Sequence, residues 1–201
     1  MSKNYLKEFH EEIASLDHRP NLLFHVCCGV CSVYPLLLLD QFFNITIYYS
    51  NSNIYPYDEY NHRLKELQKY LDLISSEHNI DLIVPKYDND YIKELAPYAN
   101  EKEGGNRCKL CYRMRLEDSY RYAYLNQYDY ITTVMSVSNR KKADYLNEIL
   151  EDLSKKYPSV KPLYADFKKE NGINLNERLN RLVGLYHQDY CGCPYSMRKP
   201  K

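Results

Sequence analysis

The chain has 201 residues, and its 27 lysines and arginines are balanced by 27 aspartates and glutamates. This length accommodates one domain with a sizeable buried core. The neutral balance excludes a protein that binds polyanions through a uniformly positive surface. The first residues are polar and charged, and no apolar run reaches transmembrane length, so we expect a cytoplasmic protein without a signal peptide or membrane contact.

Predicted helices and strands alternate along the first half of the chain. In order, the patterns predict a short charged helix within residues 1–20, a buried strand at Asn21–Val26, a turn at Cys27–Ser32, a helix at Val33–Asp40, a strand at Phe43–Tyr49, a long helix at Tyr57–Glu77 and a strand at Ile80–Val84.

The second half continues the alternation. Its predicted elements are a short helix at Asp90–Tyr98, a loop at Glu101–Asn106, a helix at Arg107–Tyr124, a strand at Tyr130–Met135, a helix at Lys142–Lys155, a fifth strand at Val160–Tyr164 and a helix at Asn176–Leu185. This order predicts an α/β fold with a mainly parallel sheet flanked by helices. We expect an N-terminal extension at residues 1–20 and a single α/β domain at 21–201, in which residues 88–128 can form an inserted subdomain.

All seven cysteines lie in three tight clusters. These are Cys27, Cys28 and Cys31, then the C-x-x-C pair Cys108 and Cys111, then the C-x-C pair Cys191 and Cys193. Isolated buried thiols would be scattered through the core as small apolar residues. In a reducing compartment, clustered thiols favour a metal or redox centre over structural disulfides.

Each cluster has a predicted position in the fold. Cys27 and Cys28 end the first strand, where open parallel sheets bind ligands, and the following helix favours thiolates at its N-terminus. The C-x-x-C pair opens a helix. The C-x-C pair can bind one metal, bridge two metals, or form a strained and easily reduced disulfide. His25, within an apolar strand, is interpreted as a packed imidazole and not as a ligand.

The number of thiols exceeds the need of a single metal site, because a 4Fe-4S cluster or a tetrahedral zinc ion takes four. In our working assignment Cys27, Cys28, Cys108 and Cys111 hold a cluster, and Cys191 with Cys193 forms a redox-active pair. Cys31 is the least constrained metal ligand in this assignment. In the alternative, the cluster takes the C-x-x-C pair and one thiol from each other group, and the remaining three hold a second metal with an open position.

Four segments together resemble one protein family. Leu23–Ser32, Asn51–Tyr57, Gly105–Arg115 and Gly184–Cys193 are similar, in this order, to segments of the cobalamin-independent epoxyqueuosine reductases. The resemblance extends over residues 21–196. Val30 stands where the family has proline and His187 where it has arginine, and neither difference removes a thiol.

The resemblance implies a fold related to the adenine-nucleotide α-hydrolases (HUP-like) and an iron–sulfur cluster. It also implies reduction of the epoxide of epoxyqueuosine to the cyclopentene of queuosine, at the wobble position of tRNA. ATP-using relatives of that fold carry a Ser-Gly-Gly-x-Asp-Ser loop after the first strand. Cys27–Ser32 stands in its place, so we do not expect ATP use.

Removing an epoxide oxygen requires two electrons, whereas a 4Fe-4S cluster transfers one at a time. A redox-active C-x-C pair or a second mononuclear metal, iron or zinc, would supply a second reservoir. We expect an external electron donor of the ferredoxin or flavodoxin type.

Anticodon loops are bound through splayed bases and phosphate contacts. The residues expected to contact tRNA are Arg107, Arg113, Arg115 and Arg140, with Lys141 and Lys142 adding charge. Candidate proton donors are Asp166, Asp189 and Tyr190.

Three other functions use the same residues. A zinc-binding nucleic-acid module would need the cysteines without redox chemistry. A tRNA sulfur transferase on this fold would need an ATP loop. A disulfide reductase would need the thiols alone.

Overall fold

A computed structural model describes residues 3–88 and 90–197. The helices are α1 (Tyr5–Ala14), α2 (Gly29–Leu39), α3 (Tyr57–Ile74), α4 (Asp90–Leu95), α5 (Asn106–Leu125), α6 (Ala143–Lys156) and α7 (Gly172–Val183). The strands are β1 (Asn21–His25), β2 (Asn44–Tyr48), β3 (Asp81–Ile83), β4 (Tyr130–Thr133) and β5 (Lys161–Pro162). Short 3-10 helices span Ala96–Tyr98, Val134–Val137 and Pro194–Ser196. None of the helices in the described ranges is long and apolar enough to cross a membrane.

The five strands form one sheet in the order β3-β2-β1-β4-β5, and every neighbouring pair is parallel. The predicted α/β fold with a mainly parallel sheet is therefore confirmed. At the centre, His25 of β1 pairs with Tyr48 of β2 and with Thr133 of β4. The chain order reverses between β1 and β4, and this position in a parallel sheet is the usual ligand-binding crevice.

The continuous apolar run of β1 is buried on both faces of the sheet. Leu22 and Phe24 belong to one apolar cluster with α2 and α3, whereas Leu23 belongs to a second cluster with α5 and α6. Strands covered on both faces have such uninterrupted apolar sequences. Helix α1 adds Phe9 to the first cluster, and α5 adds Leu116 to the second. Both the N-terminal segment and the 88–128 segment thus pack on the sheet, while residues 198–201 of the predicted domain lie outside the described residues.

Two helices begin four residues earlier than the sequence predicts. The sequence predicts a turn at Cys27–Ser32, but α2 already begins at Gly29, so Cys31 lies in its first turn. Pro35 consequently lies inside the helix, where it cannot donate a backbone hydrogen bond to the carbonyl of Cys31. Helix α7 begins at Gly172, at which a Cβ atom would come within 2.1 Å of the Phe167 carbonyl oxygen. These starts depend on tertiary contacts that periodicity does not report.

The outer strands and β4 are shorter than predicted. β3 has three residues and β5 has two, because each pairs with a single neighbour at an edge of the sheet. β4 ends at Thr133 and continues as a 3-10 helix, since the Thr133 hydroxyl accepts a hydrogen bond from the Met135 amide at 3.2 Å.

His25 connects the carboxyl ends of the central strands. It is fully buried, its Nδ1 lies 2.8 Å from Thr133 Oγ1, and its Nε2 lies 3.3 Å from the Ser50 carbonyl oxygen. Burial lowers the pKa of His25 to about 3, so the ring is neutral at neutral pH. Because a carbonyl only accepts, Nε2 carries the proton and Nδ1 accepts from the Thr133 hydroxyl. The interpretation of His25 as a packed imidazole is confirmed.

We expect His25→Phe to destabilise the fold by about 1–3 kcal/mol for each buried partner left without a hydrogen bond. The Ser50 carbonyl and the Thr133 hydroxyl lose their partner, although an aromatic ring still fills the space. Chemical denaturation measures the change. In a double-mutant cycle, Thr133→Val should cost less in the His25→Phe background than in the wild type, and additive costs would contradict the assigned bond.

Candidate metal centre

A cavity opens where the chain leaves β1 and β4. Its volume is about 270 Å³, and it lies against the start of α2, the segment Val137–Lys141 and the end of the described chain. Residues on its walls include Cys27, Cys31, Arg63, Arg115, Arg140, Lys141, Gln188 and Cys191. The cavity therefore occupies the crevice that the strand order creates and receives thiols from both ends of the sequence.

The first cysteine cluster forms a compact group of ligand atoms. The sulfur atoms of Cys27, Cys28 and Cys31 all lie within 4.8 Å of one another, and the first two are 3.7 Å apart. Cys28 is the N-cap of α2 and has an extended backbone, and Cys31 follows in the first turn of this helix. Three thiols at this spacing can hold one metal ion, and Cys31 belongs to the group as fully as the other two.

The pKa values of the three thiols are shifted in different directions. Hydrogen bonds from Cys28 and Cys31 lower the pKa of Cys27 well below its usual range, and Lys141 and Arg115 lower it further. The hydrogen bond to Cys27 raises the pKa of Cys28 to about 12, and it also raises that of Cys31. Cys27 therefore carries the most thiolate character of the three, and metal binding would release the remaining thiol protons.

Helix α7 fixes the turn of α2 that carries this group. The Val30 carbonyl accepts hydrogen bonds from the side-chain amides of Asn176 at 2.9 Å and Asn180 at 2.6 Å. The Asn176 side-chain oxygen also accepts from the Tyr34 amide at 3.1 Å. Because Pro35 cannot donate a backbone hydrogen bond to this turn, the contacts from α7 stabilise it instead.

The second cysteine cluster lies at the start of α5 and contacts the third. Cys111 and Cys193 are buried in one small apolar cluster with Tyr91 and Leu95. Cys108 accepts a hydrogen bond from the Gly104 amide at 3.2 Å. Burial raises the pKa of Cys111 to about 12, and the neighbouring thiols of the two clusters contribute. The C-x-x-C and C-x-C pairs are therefore brought together by the fold.

The third cluster is held against α3 by Arg63. This guanidinium is only 3% exposed and donates to the carbonyl oxygens of Tyr190 at 3.1 Å and Cys191 at 3.3 Å. Its Nε forms an ion pair with Glu59 at 2.7 Å. The Gly192 carbonyl accepts from the Tyr55 amide at 2.8 Å. A segment without regular structure is thus fixed by its backbone carbonyls.

Comparison with known proteins identifies the family. The sequence model of the family described as epoxyqueuosine reductase QueH matches residues 22–199. The chain belongs to the epoxyqueuosine reductase QueH family. This confirms the resemblance found in its sequence and makes the chain a member of an oxidoreductase family.

Relatives in three bacteria carry the description epoxyqueuosine reductase QueH. The protein of Streptococcus pyogenes serotype M1 is 34% identical over 183 residues, which cover 90% of this chain and 71% of the relative. That of Staphylococcus aureus Mu50 is 35% identical over 183 residues, covering 89% and 76%. That of Staphylococcus epidermidis ATCC 12228 is 32% identical over 204 residues, covering 98% and 85%.

The cysteines of this QueH-family chain are unevenly grouped. Throughout the described residues, Cys27, Cys28 and Cys31 are the one set of at least three cysteine, histidine and carboxylate ligand atoms that meets the 4.8 Å spacing. Cys111 instead packs against Cys193 of the C-x-C pair. All seven cysteines are free thiols, so Cys191 and Cys193 are not joined in a disulfide, and their redox role stays a prediction.

Two of the arginines expected to contact tRNA are buried. Arg107 is 2% exposed and donates to the carbonyl oxygens of Ala99 at 2.8 Å and Glu101 at 2.6 Å. Arg115 is 1% exposed and donates to Asn51 Oδ1 at 2.5 Å. Both guanidinium groups are thus buried and hydrogen-bonded within the protein, which argues against their contact with a phosphate at the surface.

The other two arginines are accessible. Arg113 is exposed and pairs with Asp152 at 3.4 Å. Arg140 lies on the cavity wall and pairs with Glu103 at 3.8 Å. A role in tRNA binding stays a prediction for this pair.

The candidate proton donors occupy different places. Asp189 and Tyr190 lie on the cavity wall, whereas Asp166 forms an ion pair with Lys168 at 2.8 Å outside it. The Tyr190 hydroxyl donates to the Tyr55 carbonyl at 2.5 Å. Of the three, only Asp189 and Tyr190 are placed beside the thiols.

The roles of Arg63 and Gln188 beside the thiols are not predicted from the sequence. Gln188 Nε2 lies 3.0 Å from the Cys28 sulfur, and nothing in its type or spacing reports that contact. Arg63 carries a signal, because it occupies the buried stripe of α3 with Tyr60, Leu67 and Tyr70. A charged residue at an apolar position of a helix indicates a buried partner.

The polar atoms around the thiols fit a group other than protein. Buried side-chain atoms without a hydrogen-bond partner include both amide atoms of Asn53, Nε of Arg107 and Oε1 of Gln188. Such atoms are rare in folded proteins and usually have a partner when the site is complete. Soft thiolate ligands favour zinc and iron–sulfur clusters, so the donor set fits the metal centre that the family implies.

We expect Gly192→Ala to weaken metal binding by about 10-fold or more, the size of effect seen when ligand support is lost. Gly192 has φ +104°, and an added Cβ would lie 2.8 Å from Ile54 Cγ1 and 3.2 Å from Arg63 Nη1. Chelator competition on the metal-loaded protein measures the affinity.

The matched control is Gly184→Ala. Gly184 has φ +68°, but no atom lies within 4 Å of its added Cβ. This variant bears only the left-handed backbone cost of about 1–2 kcal/mol and should retain its metal. Equal metal affinity of the Gly192→Ala variant and the wild type would contradict the close fit of the third cluster.

Proposed function

We propose that this chain reduces epoxyqueuosine to queuosine at the wobble position of tRNA, using a metal centre built from its seven cysteines. The observation that carries the proposal is a thiol-lined cavity at the switch point of the sheet in a member of the QueH family. The relatives described as epoxyqueuosine reductases support the substrate.

The grouping of thiols supports two metal sites. Four thiols, Cys108, Cys111, Cys191 and Cys193, match the number that a 4Fe-4S cluster requires. The group of Cys27, Cys28 and Cys31 matches a mononuclear iron or zinc with one open position. The proximity of Cys31 to Cys27 and Cys28 and of Cys111 to Cys193 favours this division. The working assignment, with Cys27, Cys28, Cys108 and Cys111 on the cluster and Cys191 with Cys193 as a redox pair, remains the alternative. When bound, these groups would supply single electrons and a Lewis acid.

The chain itself orients the substrate and shields the centre. The cavity admits one modified base, while the buried arginines and Gln188 hold the thiol segments in place. Gln188 donates toward the Cys28 sulfur and would stabilise its thiolate form once a metal is bound. A substrate bound in this crevice would displace water and strengthen each of these electrostatic contacts.

The partners follow from the chemistry. A tRNA anticodon loop would present its base to the cavity, with Arg113 and Arg140 near the phosphates, and a donor protein of the ferredoxin or flavodoxin type would deliver electrons one at a time. A role in tRNA modification places the enzyme in the cytoplasm, where its free thiols remain reduced.

Anaerobically purified protein should contain about four irons and four sulfides per chain, with one further metal ion, and should convert epoxyqueuosine-tRNA to queuosine-tRNA with a chemical reductant. Elemental and sulfide analysis, a visible spectrum and nucleoside mass spectrometry test this together. If reconstitution with iron and sulfide fails and the protein contains zinc without sulfide, the electron-transfer function is refuted. That result would favour a zinc-binding nucleic-acid module.

The two assignments of the thiols predict different results for single substitutions. We expect Cys31→Ser to lose about one metal ion per chain and to keep the cluster spectrum, because it removes one ligand of a three-thiol site. Cys111→Ser is the matched comparison and should lose the cluster. Retention of all metal in the Cys31→Ser variant would instead favour the working assignment from sequence.

A further inference from the structure

Lys141 lies on the cavity wall, and among the described residues its ammonium has no hydrogen-bond or ion-pair partner. Four lysines and arginines of the described residues line the cavity. Arg63 pairs with Glu59, Arg115 donates to Asn51, and Arg140 pairs with Glu103. Within the described ranges, the Lys141 ammonium makes neither a side-chain hydrogen bond nor an ion pair, so its three donors remain available to a ligand.

The backbone of Lys141 is nevertheless held in place. Its amide donates to the Ser138 carbonyl at 3.1 Å. Its carbonyl accepts from Lys168 Nζ at 3.4 Å, and the same ammonium binds the Ser136 carbonyl at 2.7 Å and Asp166 at 2.8 Å. The loop after β4 is therefore tied to the segment after β5. The backbone from which the Lys141 side chain projects into the cavity is therefore fixed.

Lys141 lies beside the thiols in the same crevice. It lines the cavity together with Cys27, Cys31 and Cys191, and its charge contributes to the low pKa of Cys27. It reaches the crevice from the end of β4, whereas Cys27 and Cys31 reach it from the end of β1. A substrate that enters between the two loops would therefore meet the metal ligands and this ammonium together. Lys69 on α3, by contrast, is exposed and does not line the cavity.

We propose that the Lys141 ammonium donates a hydrogen bond to the epoxide oxygen and stabilises the negative charge that this oxygen acquires as its C–O bonds break. This inference rests on the proposed reduction of epoxyqueuosine. It assigns Lys141 a catalytic role in contact with the reacting atoms, which differs from the phosphate contact expected from its charge alone.

The reaction balances with this role. Two electrons, delivered singly by a one-electron donor protein, enter the substrate as both C–O bonds break and the carbon–carbon double bond forms. The oxygen takes two protons from solvent and leaves as water. A fixed donor aimed at an oxygen that gains charge is among the largest contributions to catalysis in a site that excludes water.

The test compares Lys141→Met with Lys69→Met, both metal-loaded and assayed on epoxyqueuosine-tRNA with a chemical reductant. We expect Lys141→Met to lower kcat by about 10²–10³-fold, as for removal of one oxyanion-hole donor, with KM changed by less than about 3-fold. Its metal content, cluster spectrum and affinity for epoxyqueuosine-tRNA without reductant should equal those of the wild type. Lys69→Met removes an exposed lysine outside the cavity and should keep the wild-type kcat.

Two further variants test whether the positive charge at position 141 is what the reaction needs. Lys141→Arg retains a cationic donor and should be at least about 10-fold faster than Lys141→Met, and Lys141→Gln replaces Lys141→Met if the latter does not fold. A kcat of Lys141→Met within about 3-fold of wild type, or a loss of activity that follows a loss of metal, would overturn the catalytic role. A fully metal-loaded wild type that leaves epoxyqueuosine-tRNA unchanged would refute the proposed function itself.

Discussion

The parallel pairing of β1 with neighbours on both sides is the constraint on which the rest of the structure depends. Because β2 and β4 flank β1 with their carboxyl ends aligned, the chain leaving β1 must turn away from both, and a crevice opens above the strand. Cys27 and Cys28 enter that crevice at once. Residues from the far end of the chain reach the same point through α3, which holds the backbone of Cys191.

Buried polar groups, and not apolar packing alone, shape the walls of this crevice. Arg63, Arg107 and Arg115 are almost inaccessible, and each donates to backbone carbonyls. Burying a guanidinium is costly unless its charge and donors are matched. Thiolates, and the metal–sulfur centre proposed for them, would carry the negative charge that completes this match. The charge of that centre and the stability of its surroundings would then be linked, since each compensates the burial of the other.

Much of the fold, and the grouping of the first three thiols, could be predicted from local sequence patterns. Alternating strand and helix patterns predicted the parallel α/β arrangement, and the spacing of Cys27, Cys28 and Cys31 indicated a group of potential metal ligands. The packing of Cys111 against Cys193 could not be predicted, because it joins segments distant in the chain. The burial of Arg107 and Arg115 could not be predicted for the same reason. A basic helical segment is expected to face solvent, and the carbonyls that bind these two side chains belong to other segments.

The dependence of the first thiol group on α7 bears on how the protein is assembled. The turn that carries Cys31 lacks the backbone donor of Pro35 and is instead held at Val30 by Asn176 and Asn180. During synthesis the first three cysteines emerge long before residues 172–183, so their final arrangement waits for α7. Any metal that this group holds would therefore be inserted only after α7 has been made, and not when the first half of the fold forms.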